Sequence, residues 1–331
     1  MSGPSPFATW WSTYALATGI VSVGLDSAGY EALSRIALAL TCASWLVAVT
    51  GLAQRARGGW RTETPAAGTV QQRARGEWRA EAPAALTAVA ATAVLGTGFS
   101  AAGRQSLAEA LLALAMLLWA VLLTAEAGGR RGTVFLRCVA TQGLAVLGAT
   151  LAAADTSPWL AHAALVLFWL GLALYGFALF RFQPRQVEEG RGDHWLAAGA
   201  LAVSALAGAK LLSADSARLY LWNEENADVL RTTAVTLLVL ALITCVALLL
   251  AELFWPRHHY DARRWATVFA AVVTAAAALA VAAALDVPWL DAAGEVLLWM
   301  AVAAWLGCTA WAVTSARAGA RRSGVRSRAR R

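Results

Sequence analysis

Residues 229–285 read VLRTTAVTLLVLALITCVALLLAELFWPRHHYDARRWATVFAAVVTAAAALAVAAAL, and the fold class follows from them. Two apolar runs, 229–254 and 265–285, are each long enough to cross a bilayer, which takes about 20 apolar residues. The first is rich in Leu; the second is largely Ala and Val with Thr267 and Thr274. A short basic join, Arg257 to Arg264, lies between them. Leu suits lipid contact, whereas small residues allow close backbone approach or line a passage. Basic joins mark the cytoplasmic side of a membrane protein.

Outward from this hairpin the pattern repeats. Apolar segments fall at 7–25, 32–54, 84–102, 107–125, 134–154, 158–180, 195–213, 229–254, 265–285 and 289–315. The 331-residue chain is 59% hydrophobic and 14% charged, against about 25% charge in soluble domains. That excludes a water-soluble globule, a disordered chain and an ordinary nucleic-acid-binding domain, despite the net charge of +7. The expected fold is an all-α membrane protein with ten transmembrane helices. A transport domain over 1–315 includes a duplicated cytoplasmic loop at 54–85, and a basic cytoplasmic tail follows at 316–331. In the loop, Gln54–Ala67 recurs as Gln72–Ala85 with eleven of fourteen positions matched. A tandem insertion tolerated in a loop accounts for it, with an Arg/Trp lipid clamp as the alternative. The first residues, Met1 to Pro6, have no positive n-region of a cleavable signal.

Sidedness follows from charge. Of the 27 Lys and Arg, 22 lie on the side of the even-numbered joins and the tail, and 5 on the other. The expectation is a multi-pass protein of the plasma membrane with both termini cytoplasmic.

Leucine divides the spans: the odd segments hold 15 and the even segments 33. Odd segments instead carry Thr18, Gly19 and Ser22; Gly96; Thr141, Gln142 and Gly143; and Ser204 and Gly208. The plan implied is five inner, pore-lining odd helices surrounded by five outer even helices, each inner–outer pair a hairpin. The same composition also describes a packed centre with no lumen.

Charges inside spans are costly and usually functional or paired. Arg137 and Lys210, the one lysine, lie near opposite mouths of the proposed path, where they would focus anions. Equally, both could snorkel to headgroups. Glu109, Glu252 and Glu295 read as interfacial capping or helix-pairing residues, and His162 as a packed histidine. His258-His259 lacks partners at ligand spacing, so no metal site and no cofactor is expected. The four cysteines, Cys42, Cys138, Cys245 and Cys308, read as buried small hydrophobes. Signatures such as HExxH, GxSxG and the P-loop are absent, so no enzyme is expected.

Several stretches, in order along the chain, carry a resemblance. They are Pro6-Phe7-Ala8 running into Ala17-Thr18-Gly19-Ile20-Val21-Ser22, then Val94-Leu95-Gly96, then Phe135-Leu136 with Val139-Ala140-Thr141-Gln142-Gly143-Leu144-Ala145-Val146. His194-Trp195 with Ala198-Gly199-Ala200-Leu201 opens the seventh segment, and Tyr260-Asp261-Ala262-Arg263-Arg264-Trp265-Ala266-Thr267-Val268-Phe269 enters the ninth. In these the chain resembles the tellurite-resistance/C4-dicarboxylate transporter family. That group takes in bacterial TehA, fungal malate and sulfite carriers, and plant slow anion channels. The resemblance implies odd helices lining a pore, a homotrimer with one pore per subunit, and a phenylalanine gate matched by Phe269. The family commonly follows this Phe with Pro; here Ala270 stands instead, and the inner helices lack mid-span prolines. The expected function is passage of small anions, with the lipid bilayer and no nucleic acid as partner. The rival readings are a proton-coupled exporter of dicarboxylate, sulfite or tellurite-related species, and a non-conducting membrane scaffold.

Overall fold

The computed structural model describes residues 6–59, 67–125, 134–181, 193–215, 221–254 and 264–328. These form ten helices: α1 (Pro6–Ser27), α2 (Glu31–Gly59), α3 (Ala67–Ala101), α4 (Gln105–Ala125), α5 (Val134–Asp155), α6 (Pro158–Arg181), α7 (Asp193–Ala214), α8 (Glu224–Phe254), α9 (Arg264–Leu285) and α10 (Pro288–Arg328). Among the described residues, nine helices are long and apolar enough to cross a membrane. The remaining one, α1, carries Trp10, Trp11, Ser12, Thr13 and Tyr14 in its first half, which dilute its hydropathy. The duplicated stretch is more helical than a loop: α2 continues to Gly59 and α3 starts at Ala67. Pro83 consequently falls inside α3, next to Ala82, where the apolar span begins. Likewise α10 runs on through the basic segment to Arg328.

Four of the helix hairpins share one turn. Gly29 (φ 80°), Gly103 (φ 75°), Thr156 (φ 49°) and Asp286 (φ 54°) take the left-handed conformation just past α1, α3, α5 and α9. The next amide then reaches back five residues: Tyr30 N–H to the Leu25 carbonyl, Arg104 to Phe99, Ser157 to Ala152 and Val287 to Ala282, at 2.8–3.1 Å. This caps the last carbonyls of each helix, which would otherwise lack partners. Pro158 and Pro288 follow directly as first residues of α6 and α10, where a missing N–H costs nothing. The α7–α8 connection differs. There Asp215 Oδ1 accepts the Leu221 amide (2.9 Å), and Asn223 Oδ1 caps α8 through the Asn226 amide (2.9 Å).

Burial separates the helices into two sets. In α3, α5, α7 and α9 the apolar span is 72–89% buried; in the even helices it is 17–28% buried. Ser12 to Leu25 of α1 are buried almost throughout. Each odd helix packs on the even helix that follows it, and odd helices also pack on one another in cyclic order: α1 on α3, α3 on α5, α5 on α7, α7 on α9, and α9 on α1. The large exposed side chains, such as Leu117, Val166, Ile243 and Met300, belong to even helices.

Indole-to-hydroxyl bonds tie an even helix to the odd helix after it. Trp45 Nε1 of α2 donates to Thr92 Oγ1 of α3 (2.8 Å), and Trp119 of α4 to Thr141 of α5 (2.8 Å). Trp305 of α10 donates to Thr18 of α1 (3.0 Å), so the series runs across the end of the chain to its beginning. At the α8–α9 junction Cys245 of α8 instead packs in a cluster with Ala266 and Ala270 of α9. Interhelical bonds in a bilayer contribute modestly, about 0.6 kcal/mol on average. In a double-mutant cycle of Trp119→Phe and Thr141→Val, unfolding in mixed micelles is expected to return a coupling of about 0.5–1.5 kcal/mol. Strictly additive effects would show that this bond orients the helices without stabilising them.

Candidate functional site

Phe269 lies on the second turn of α9 and is 1% exposed. Its ring lies on Gly199 of α7: a Cβ built there would sit 2.8 Å from Phe269 Cδ1 and closer still to Cε1. Glycine at 199 is therefore what admits the ring between the two helices. One turn below, Trp265 meets Tyr14 edge-on at 5.0 Å and Trp10 at 6.2 Å, and Tyr14 lies 6.2 Å from Trp305. This aromatic cluster joins α1, α9 and α10 beneath the Phe269 level. The Ala270 carbonyl accepts the Thr274 hydroxyl at 2.7 Å, and α9 is unbroken through this point. Ala270 itself is fully buried, against Trp195, Ala198 and Cys245. A regular helix, rather than a proline kink, thus presents the ring.

The small and polar residues of the odd helices are not gathered at one point. Thr18 and Thr141 accept the indoles of Trp305 and Trp119. Gly19 receives Val94 and Thr41, and Gly96 receives Leu147. Gly143 lies at ordinary contact with Ala90 and Ala93 of α3. Ser22 exchanges hydrogen bonds with Ser34 of α2 (2.8 and 2.9 Å). Gln142 donates Nε2 to the Phe168 carbonyl of α6 (3.0 Å) and wedges against Gly171, leaving its buried Oε1 without a partner. Gly208 packs on Ala234 of α8 and Phe168. Ser204 donates to the Ala200 carbonyl of its own helix (2.8 Å). The other contacts run to neighbouring helices, those of Ser22, Gln142 and Gly208 to even helices.

Arg137 is half-buried near the start of α5, and Lys210 is half-buried in the last turns of α7. Asp26, at the end of α1, lies close enough to Lys210 for their charges to attract, so this end carries a mixed pair rather than a bare cation. The sequence reading passed over Asp26, because 184 residues separate the two charges. It also passed over Gly199 as a partner of Phe269, and over the mid-helix tryptophans Trp45, Trp119 and Trp305. A large indole in the middle of a Leu-rich span was the available signal, since its N–H needs an acceptor when buried. His162, expected to be packed, is exposed instead; a ring nitrogen is bonded with the Pro158 carbonyl one turn back (2.7 Å), and Trp222 lies 5.5 Å away. The cysteines are free thiols. His258-His259, the part of the basic join after α6 from Phe182 to Arg191, and the last three residues of the tail lie outside the described residues.

The model of the voltage-dependent anion channel family, SLAC1, matches residues 6–313. The chain belongs to that family. The match spans the described helices through nearly all of the apolar part of α10, and it agrees with the resemblance carried by the Thr18, Gln142 and Phe269 stretches. Comparison with curated proteins gives no significant match. The voltage-dependent anion channel family is one of channels and transporters, not of enzymes. The chain is accordingly a multi-pass membrane protein, and anion passage is its function at the level of the family.

The Phe269–Gly199 contact makes a specific expectation. Gly199→Ala should overpack the ring and lower stability by about 1–3 kcal/mol. In a Phe269→Ala background the same change should be neutral or stabilising, because alanine is the better helix former by about 0.5–1 kcal/mol. Thermal unfolding of the four variants measures this; an equal penalty in both backgrounds would separate the two residues.

Proposed function

We propose that the chain passes small anions along a central path enclosed by α1, α3, α5, α7 and α9, with the even helices as an outer shell in lipid. The observation that carries this reading is the cyclic packing order of the odd helices, which returns from α9 to α1 while each odd span is buried. A ring of five helices encloses an axis; a layered bundle would not return to its first member. Phe269 is the proposed steric gate, its ring seated on Gly199 and able to swing only where no Cβ opposes it.

Thr18, Gly19, Ser22, Gly96, Thr141, Gln142, Gly143, Ser204 and Gly208 remain the proposed wall of this path, acting mainly through size. Most of their hydroxyl donors are engaged by their own helices or by α2: Thr141 by Arg137, Ser204 by Ala200, Ser22 by Ser34. An anion needs donors, so tight binding at these hydroxyls would break existing bonds. Weak holding is what conduction requires. Anion preference then falls to the field of a chain with net charge +7. Arg137 contributes at one mouth, and Lys210, tempered by Asp26, at the other. A homotrimer in the plasma membrane, one path per subunit and both termini in the cytoplasm, completes the reading. A tag between Trp60 and Trp78 and a reporter after Arg331 should both be cytoplasmic in accessibility assays; external labelling of either would invert or break the topology.

The decisive measurement is anion flux per folded protein in liposomes. Phe269→Ala should raise steady flux well above the parent, since it removes a plug without leaving a charge or an unmet hydrogen bond. If the ring is only a core residue, the change costs about 3–5 kcal/mol of packing and opens nothing. Flux that follows an imposed pH gradient would favour the coupled exporter of dicarboxylate, sulfite or tellurite-related species. Absent flux in both parent and variant would leave the non-conducting scaffold.

A further inference from the structure

At the end of the bundle where α8 finishes and α9 begins, α8, α9 and α10 leave a crevice of 370 Å³. Its wall carries both signs of charge: Glu252 from α8 and Arg264 from α9. The Arg264 guanidinium carbon lies 4.5 Å over the Trp311 ring. Stacking of this kind holds the cation by its face, and the in-plane N–H donors are the ones that match phosphate oxygens. Thr267 and Cys308 add a hydroxyl and a thiol to the lining. Two of the three helices are exposed to lipid, and the flanking surface is apolar. Leu249, Leu250 and Phe254 of α8 and Leu306 and Val313 of α10 are 44–73% exposed.

We propose that this crevice holds the headgroup of a zwitterionic aminophospholipid from the adjacent leaflet. Arg264 takes the phosphate and Glu252 takes the primary ammonium. The acyl chains follow the exposed leucines and valines of α8 and α10. The charge pair argues for this occupant over a purely anionic lipid, whose headgroup would offer the Glu252 carboxylate no cation. The indole adds what interfacial tryptophans supply, an apolar body with a polar edge at headgroup depth. The crevice opens between α8 and α10 over the start of α9, and neither Phe269 nor Gly199 lines it, so the assignment holds whether or not the bundle conducts.

The test uses the full chain in nanodiscs of phosphatidylethanolamine, phosphatidylcholine or phosphatidylglycerol, with lipid retained after detergent extraction counted by native mass spectrometry. Phosphatidylethanolamine should be retained about tenfold over the other two, the scale of one charge-assisted hydrogen bond. Glu252→Gln should abolish the preference for phosphatidylethanolamine over phosphatidylglycerol while retaining bound phospholipid. Arg264→Gln should lower retention of all three. Should Arg264→Gln fail to fold, the Glu252→Gln comparison decides alone. Equal retention of the three lipids by the parent, or a preference unchanged by Glu252→Gln, overturns the proposal. So does stabilisation by soluble phosphoethanolamine equal to that by the lipid, or loss of self-association in Glu252→Gln without loss of lipid preference, which would assign the crevice to a second copy of the chain.

Discussion

The close approach of five helices through alanine and glycine is the constraint on which the rest depends. In a bilayer there is no water to drive helices together, so association rests on packing and interhelical hydrogen bonds. Packing of that kind needs surfaces without large protrusions, and α9 supplies one in its run of buried Ala and Val. Where a larger side chain enters, a glycine receives it: Val94 at Gly19, Leu147 at Gly96, Phe269 at Gly199. These pairs hold α1 to α3, α3 to α5 and α7 to α9. Remove the glycines and neighbouring odd helices must move apart.

The even helices answer a different requirement. Many of their leucines are exposed, yet each must hold its angle against two odd helices. The indole bonds of Trp45, Trp119 and Trp305 to Thr92, Thr141 and Thr18 meet that need at three of the even-to-odd junctions. Together with the shared left-handed turn after α1, α3, α5 and α9, they reveal a repeated hairpin. The sequence hides this repeat, because different residues fill equivalent places. A buried indole must find an acceptor, and a threonine already bonded to its own helix still has a lone pair to offer.

Those same bonds shape the functional reading. A hydroxyl that donates within its helix and accepts an indole is a structural joint more than an anion ligand. On the proposed reading, passage then rests on the long-range field and on steric control at Phe269. Were Phe269 the gate we propose, it would move by side-chain rotation on a straight helix, against Gly199, where a Cβ would collide with the ring. The crevice at Glu252 and Arg264 is separate from that contact: α8 and α10 flank it, and the first turn of α9 forms its floor.

Much of this was legible in the sequence. Apolar length placed the spans closely: the segment read at 134–154 is α5 at Val134–Asp155, and 265–285 is α9 at Arg264–Leu285. Leucine content told the buried helices from the exposed ones, since close packing favours small side chains. The Phe269 stretch placed the chain among its relatives. What the sequence left undetermined was direction around each helix axis. A helix buried on nearly every side has no amphipathic stripe, so periodicity does not say which face meets which neighbour. Composition therefore named Ser22, Gln142 and Gly208 without naming the partners they meet on α2, α6 and α8. Segment length and charge fixed the spans because each is a property of one stretch of chain against the bilayer. The pairing of Phe269 with Gly199, of Lys210 with Asp26, and of each indole with its threonine joins distant stretches, and only packing in three dimensions decided it.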